Sequence, residues 1–182
     1  DISNNHVEIH KSASEPWKVT LVDTGLETMT GGRIRRIRQY VDDTFFFMYG
    51  DGVGDIDIAE LLKCHREGGK RATLTVVQPA GRFGSVRFDE NDDKLVRAFR
   101  EKPQGDGAWI NGGFFVCEQE VFNLLEDDNT VWERGPLESM ASAGELTAYR
   151  HRGFWRPMDT IREKRELEEL WRSGKATWKT WK

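Results

Sequence analysis

Cysteine is scarce: two residues, Cys64 and Cys117, in 182. Both lie in apolar surroundings, with no second cysteine or histidine at metal-ligand spacing. That excludes a disulfide framework and a zinc knuckle, and predicts buried free thiols in a reducing cytoplasm. The histidines His6, His10, His65 and His151 likewise show no metal spacing, and no Ser/His/Asp or Cys/His set stands out. No apolar run approaches the roughly 20 residues that cross a bilayer as a helix. No block of Lys or Arg is present, and the net charge is -4, so nucleic acid is not the expected partner. The first residue, Asp1, is not Met and opens no signal peptide, which points to a start inside a longer protein.

What is there reads as one α/β domain. Hydrophobic residues make up 37% and charged residues 32%, ordinary for a globular chain. The expected domain runs over residues 1–174, followed by a tail, 175–182, carrying Trp178 and Trp181, which should dock on the domain or on another copy. Val19–Val22 reads as a strand. Phe45–Tyr49, apolar on both faces, reads as a central parallel strand ending in the turn Gly50-Asp51-Gly52. A helix should begin at the cap Asp57, bury Ile58, Leu61, Leu62 and His65, and stop at Gly68-Gly69. The β-branched run Ala72–Val77 completes a strand–helix–strand unit, hence a mixed, mostly parallel sheet. Shorter strands are expected at 85–88, 94–99, 113–117 and 147–151, and a short helix at 121–125. A last helix starts at Thr160 with a capping box to Glu163, buries Ile161, Leu167, Leu170 and Trp171, and ends at Gly174.

Four segments carry candidate chemistry, each with a structural reading beside the chemical one. Asp51, between glycines beyond the carboxyl end of a strand, suits a divalent ion or a nucleotide phosphate; it also suits a plain turn. Asp159 stands just before a helix, where it either caps or joins Asp51 on one Mg²⁺. In Arg100-Glu101-Lys102-Pro103, Lys102 can hold a phosphate and Glu101 can accept from hydroxyls; Asn111 can donate and accept toward a polyol. The same stretch is also a common surface turn. In Thr28 to Arg33, two glycines could open backbone N–H groups, beside the Arg33 guanidinium, to a triphosphate. Gly81 to Gly84 is a glycine-bounded turn. Asp55-Ile56-Asp57 is a literal D-x-D, as in glycosyltransferases that bind a nucleotide-sugar metal, although Asp57 also serves as the helix cap.

Taken in order, E-P-W-K-V-T-L-V-D-T-G (15–25), M-T-G-G-R (29–33), Y-G-D-G-V (49–53), G-R-F-G (81–84), F-R-E-K-P (99–103), I-N-G-G-F-F-V (110–116), G-F-W-R-P-M-D-T (153–160) and W-K-T-W (178–181) resemble the sugar-1-phosphate nucleotidyltransferases, and within them the glucose-1-phosphate cytidylyltransferase branch. The resemblance implies a Rossmann-like fold that joins CTP and α-D-glucose 1-phosphate into CDP-glucose and pyrophosphate, with Mg²⁺, on the route to dideoxysugars of bacterial surface polysaccharide such as the O-antigen of lipopolysaccharide. It implies metal ligation by Asp51 and Asp159, nucleotide contacts from Thr28, Arg33 and Gly50, and sugar and phosphate contacts from Gly84, Glu101, Lys102 and Asn111. It leaves self-association open. The family's opening strand, G-G-x-G-T-R-L loop and K-P-K-P lysine have no counterpart in this sequence. The expected fold therefore lacks its N-terminal strand-loop-helix portion, and the chain alone is expected to be inactive. A degenerate sugar-phosphate-binding module is the non-catalytic alternative.

Overall fold

The computed structural model describes residues 18–79, 85–101 and 108–181. Its elements are α1 (Thr30–Arg36), β1 (Thr44–Met48), β2 (Gly52–Gly54), α2 (Ile58–Gly68), β3 (Ala72–Val77), β4 (Ser85–Phe88), β5 (Val96–Arg100), β6 (Ile110–Glu118), α3 (Gly135–Ser142), β7 (Leu146–Arg150), β8 (Trp155–Pro157) and α4 (Ile161–Arg172), with 3-10 turns at Arg38–Tyr40 and Gln119–Leu124.

The main sheet has the order β1-β6-β3-β7. β1 and β3 both pair antiparallel to β6, while β7 runs parallel to β3. Three strands therefore point one way and β6 runs against them. The expected β1-α2-β3 unit is present, but its two strands are not neighbours: β6 lies between them. β6 can occupy that place because it is apolar on both faces. Phe115 and Cys117 enter one core with Phe45, Val121, Phe122, Trp132, Leu137 and Met140. Val116, on the opposite face, packs with Ile56 and Leu61 beneath α2. This alternation follows from the two-residue period of a strand. Trp132 fills the first core, its ring edge-on to Phe47 and Phe115, which stack at 4.4 Å.

α2 forms as its ends prescribe. Asp57 Oδ1 accepts from the N–H groups of Ala59 and Glu60 at 2.9 and 3.0 Å, and Gly69 takes the left-handed conformation, φ 56°, that closes the helix. Leu61 and His65 are buried, whereas Ile58 is half exposed. The His65 ring sits between Thr73 Oγ1 and Glu118 Oε1, each at 2.8 Å, which satisfies a polar group inside the fold.

Four expectations are corrected. Val19–Val22 is not a strand; Val19 and Leu21 are 71% and 85% exposed. A strand exists through its pairing, and these residues meet no ladder among the described residues. β1 lies at an edge of the described sheet instead of its centre, and Phe46 and Met48 are exposed. On α4 only Leu167 is buried; Ile161, in the first turn, is 71% exposed, and Trp171, in the last, is about half exposed with its ring beside Trp181. Cys117 is buried as expected, but Cys64 is only partly so; both are free. The tail does dock: Trp178 stacks on Phe154 at 5.1 Å between ring centroids, and Trp181 lies beside Trp171.

Candidate active site

The end of β1 leads through Tyr49-Gly50-Asp51 into β2. β2 pairs antiparallel with β8, and the ladder continues one step past Gly52↔Pro157, where Met158 N–H donates to the Asp51 carbonyl at 2.7 Å. Asp51 and Asp159 therefore leave the same end of one short ladder, although 108 positions separate them in sequence. Both are exposed. A Cβ on Gly50 would meet nothing within 4 Å, so the backbone before Asp51 faces open space.

Asp159 is not a cap. Thr160 is the N-cap of α4: its hydroxyl accepts from Glu163 N–H at 3.2 Å, while Glu163 Oε2 accepts from the N–H groups of Thr160 and Asp159 at 3.0 and 3.1 Å. The capping box grips the backbone of Asp159 and leaves its carboxylate out of the helix hydrogen bonding. α4 is itself fastened to β8 by Arg156, which pairs with Glu166, as does Arg162 at 2.9 Å. These guanidiniums, Arg162 first, hold the Glu166 carboxyl below its ordinary range.

β6 forms the second wall. Gly113 has φ +76°, and a Cβ there would fall 2.8 Å from the Tyr49 ring; at Gly112 it would meet Thr75 O and Val77 at 3.0 Å. Only glycines let this bend pass so close to Tyr49 and β3. The Gly112 carbonyl accepts from Trp155 Nε1 at 2.9 Å, tying β8 to β6. Asn111 donates from Nδ2 to the Tyr49 hydroxyl at 3.2 Å and accepts at Oδ1 from Gly113 N–H at 2.7 Å. The Tyr49 hydroxyl donates to Glu133 Oε1 at 2.6 Å, and Glu133 Oε2 accepts from Thr30 Oγ1 at 2.7 Å. Burial, then the bond to Glu133, raises the Tyr49 phenol well above its ordinary range. Beyond Trp155 opens a polar cavity of about 220 Å³, lined by Gln78, Trp109, Arg152, Phe154 and Arg156 among others, where Arg150 and Arg152 sit over the Trp109 ring.

The Thr28–Arg33 segment folds differently from the expected phosphate loop. Its second half is the start of α1, and the amides of Gly31 and Gly32 donate to Thr130 O at 2.9 and 3.2 Å. A Cβ on Gly31 would lie 2.7 Å from Thr130 O, and on Gly32 2.6 Å from Asp128 O. The two glycines serve close packing, and their N–H groups are not open to a triphosphate. Thr28 is buried. Arg33 donates to Thr24 Oγ1 at 2.7 Å and Leu26 O at 3.1 Å, bracing the turn before α1.

Glu101 leaves the end of β5 at which Ser85 of β4 pairs with Arg100. Lys102 and Gly84 lie outside the described residues. The D-x-D separates into two structural carboxylates: Asp57 caps α2, and Asp55 Oδ1 lies 3.1 Å from His151 Nε2, whose hydrogen bond goes to the Phe154 carbonyl. Asp55 Oδ1 is thereby buried without a hydrogen bond of its own. The Tyr49–Glu133 link had no sequence signal, since 84 positions separate its partners. Tyr49 stands in the Y-G-D-G motif, but nothing in that motif shows which way its hydroxyl points.

Residues 18–153 match the nucleotidyl transferase family, and the chain belongs to it. Among individual proteins, it is 52% identical over 182 residues to the glucose-1-phosphate cytidylyltransferases of Salmonella typhi and Salmonella typhimurium, covering 99% of this chain and 70% of each relative. It is 40% identical over 169 residues to the probable glucose-1-phosphate cytidylyltransferase of Bacillus subtilis, covering 92% of this chain and 65% of that one. The solved structure of HddC from Yersinia pseudotuberculosis superposes with a TM-score of 0.59 at 19% identity, over 79% of this chain and 63% of that one. UDP-glucose pyrophosphorylase complexed with UDP-glucose does so with a TM-score of 0.58 at 13% identity, over 84% and 65%. At these identities the likeness is one of fold, and it bears out the α/β nucleotidyltransferase architecture expected from the sequence.

Proposed function

We propose that the protein transfers a cytidylyl group from CTP to α-D-glucose 1-phosphate, giving CDP-glucose and pyrophosphate. A phosphate oxygen of the sugar phosphate attacks the α-phosphorus of CTP, the bond from that phosphorus to the bridging oxygen breaks, and pyrophosphate leaves. Both reactants are anions, so the chief demands are alignment and suppression of charge repulsion, with little acid–base chemistry. The observation that carries this reading is the β2–β8 ladder, from one end of which Asp51 and Asp159 both emerge beside the open backbone of Gly50.

The donor set fits a magnesium ion. No cluster of three or more His, Cys, Asp or Glu occurs among the described residues, which argues against an all-protein cage. Two exposed carboxylates beside an open approach are what Mg²⁺ takes when substrate phosphates and water complete its octahedron. Asp51 and Asp159 would hold it, and it would supply positive charge at the α-phosphate when bound. Gly50, whose backbone faces open space, serves the nucleotide; Thr28 is buried and Arg33 braces the turn before α1, so neither is proposed as a direct contact in this arrangement. Lys102 orients the sugar phosphate, and Gly84, Glu101 and Asn111 meet the hexose.

The test is an assay of the full-length protein, with any coding sequence upstream of Asp1 included. CTP, glucose 1-phosphate and MgCl₂ should give CDP-glucose and pyrophosphate in equal amounts, with UTP and dTTP slower. Sugar transfer to an acceptor without pyrophosphate, or sugar-phosphate binding without CTP binding, would overturn the proposal.

A further inference from the structure

The direction of the Asn111 amide is set by a chain of hydrogen bonds whose polarity can be followed atom by atom. Glu133 is its anchor. An ionised carboxylate accepts only, so both hydroxyls facing it, Thr30 Oγ1 at 2.7 Å and Tyr49 OH at 2.6 Å, must donate. The shorter contact is in the range of a charge-assisted O–H···O⁻ bond, about 2.5–2.7 Å. Tyr49 has a single hydroxyl proton. Once it is committed to Glu133, the phenolic oxygen can only accept, and the group that reaches it is Asn111 Nδ2 at 3.2 Å. At the other end of the amide, Gly113 N–H can only donate, and it meets Asn111 Oδ1 at 2.7 Å. Reversing the amide would set oxygen against oxygen at Tyr49 and N–H against N–H at Gly113. One Nδ2 proton and one Oδ1 lone pair remain for a ligand.

We infer that Glu133 is a positioning residue for the sugar end of the site: acting through Tyr49, it fixes which atom of the Asn111 amide donates to a hexose hydroxyl and which accepts. This rests on the reading of Asn111 as a hexose contact. Glu133 is well placed for such a role because its other oxygen ties down Thr30, whose hydroxyl also accepts from Trp132 N–H at 3.0 Å. The same carboxylate thus joins the start of α1, beside Thr28 and Arg33, to β6. A glutamine at position 133 cannot reproduce this. With its oxygen toward Tyr49, it presents an NH₂ to Thr30 and leaves that hydroxyl proton without its acceptor. With its NH₂ toward Tyr49, it turns the phenol into a donor toward Asn111, so that the phenol and Gly113 N–H make opposing demands on the amide and its direction is no longer fixed.

The experiment uses the full-length protein, with Tyr49→Phe, Glu133→Gln and Asn111→Ala, and titrates glucose 1-phosphate and its 2-, 3-, 4- and 6-deoxy analogues. Tyr49→Phe keeps the ring and removes only the hydroxyl. Wild type should discriminate by about tenfold against the analogue lacking the contacted hydroxyl, the worth of one net hydrogen bond. That discrimination should fall to about twofold in Tyr49→Phe and Glu133→Gln, with CTP affinity within about twofold of wild type. Asn111 side-chain amide exchange, followed by ¹⁵N NMR, should be slow in wild type and faster in both variants whether or not ligand is present. If Asn111→Ala loses the discrimination while Tyr49→Phe and Glu133→Gln keep it, or if the amide exchange is unchanged in them, the positioning role is wrong and the reading of Asn111 stands. If Asn111→Ala binds all five sugars as wild type does, the reading of Asn111 fails and the positioning role goes with it.

Discussion

Asp51 and Asp159 show how far a single residue can be read. Both were legible as candidates, one from its glycine neighbours after an apolar strand, the other from its place before a helix. The capping box of Thr160 and Glu163 was legible too; what was not legible was the β2–β8 ladder, which brings Asp51 and Asp159 to one end although 108 positions separate them. The Tyr49 hydroxyl is the opposite case: the residue was visible in its motif, but its partners Asn111 and Glu133 come from 62 and 84 positions away. Its raised pKa has a sign that can be worked through. A group whose folded pKa lies above the unfolded value, about 10 for tyrosine, contributes stability below that value and loses it as pH rises. Spectrophotometric titration should therefore show Tyr49 ionising only as the fold is lost. Replacing Glu133 by Gln should bring the Tyr49 transition down.

Among the elements, those with strong local signals matched expectation. α2 had a cap, an apolar face and a terminal glycine; β3 and β4 were found at their expected limits. The elements that sequence patterns missed are the ones built by contact. α1 contains Gly31 and Gly32, each worth about 1 kcal/mol less than Ala in a helix interior, and it persists because it lies against the 128–130 backbone. β2 and β8 have three residues each and exist as a pair. The glycines allow a direct test. Gly32→Ala gains about 1 kcal/mol of helix propensity. It also drives a Cβ to 2.6 Å from Asp128 O, a backbone atom that cannot swing aside. Overpacking of this kind costs about 1–3 kcal/mol. The clash should win, lowering the urea midpoint of unfolding; an unchanged or higher midpoint would show that α1 is held loosely.

At the scale of the whole molecule, surface ion pairs fasten the 127–130 loop to α1 and α4 to β8. Arg36 holds Asp128 through two contacts, at 3.0 and 2.5 Å, and so pins the 127–130 loop on α1. The Arg36 hydrogen bond lowers the Asp128 carboxyl below its ordinary range, as Arg162 does for Glu166. A lowered folded pKa contributes stability above the unfolded value, near 4, and loses it as pH falls through the folded one. These groups are exposed, so the effect is small and screened by salt. The difference in urea midpoint between wild type and Asp128→Asn should be present at pH 6, shrink as pH falls below about 4, and be smaller in high salt.

The account turns on two carboxylates from distant parts of the chain acting together. Mn²⁺ in place of Mg²⁺, titrated into the full-length protein with CTP and followed by electron paramagnetic resonance, reads this directly. The account predicts that Asp51→Ala and Asp159→Ala each weaken Mn²⁺ binding by at least about tenfold, and that the double variant binds little worse than the weaker single one, because ligands of one ion are not additive. Wild-type Mn²⁺ affinity in either single variant, or two losses that simply add, would contradict it.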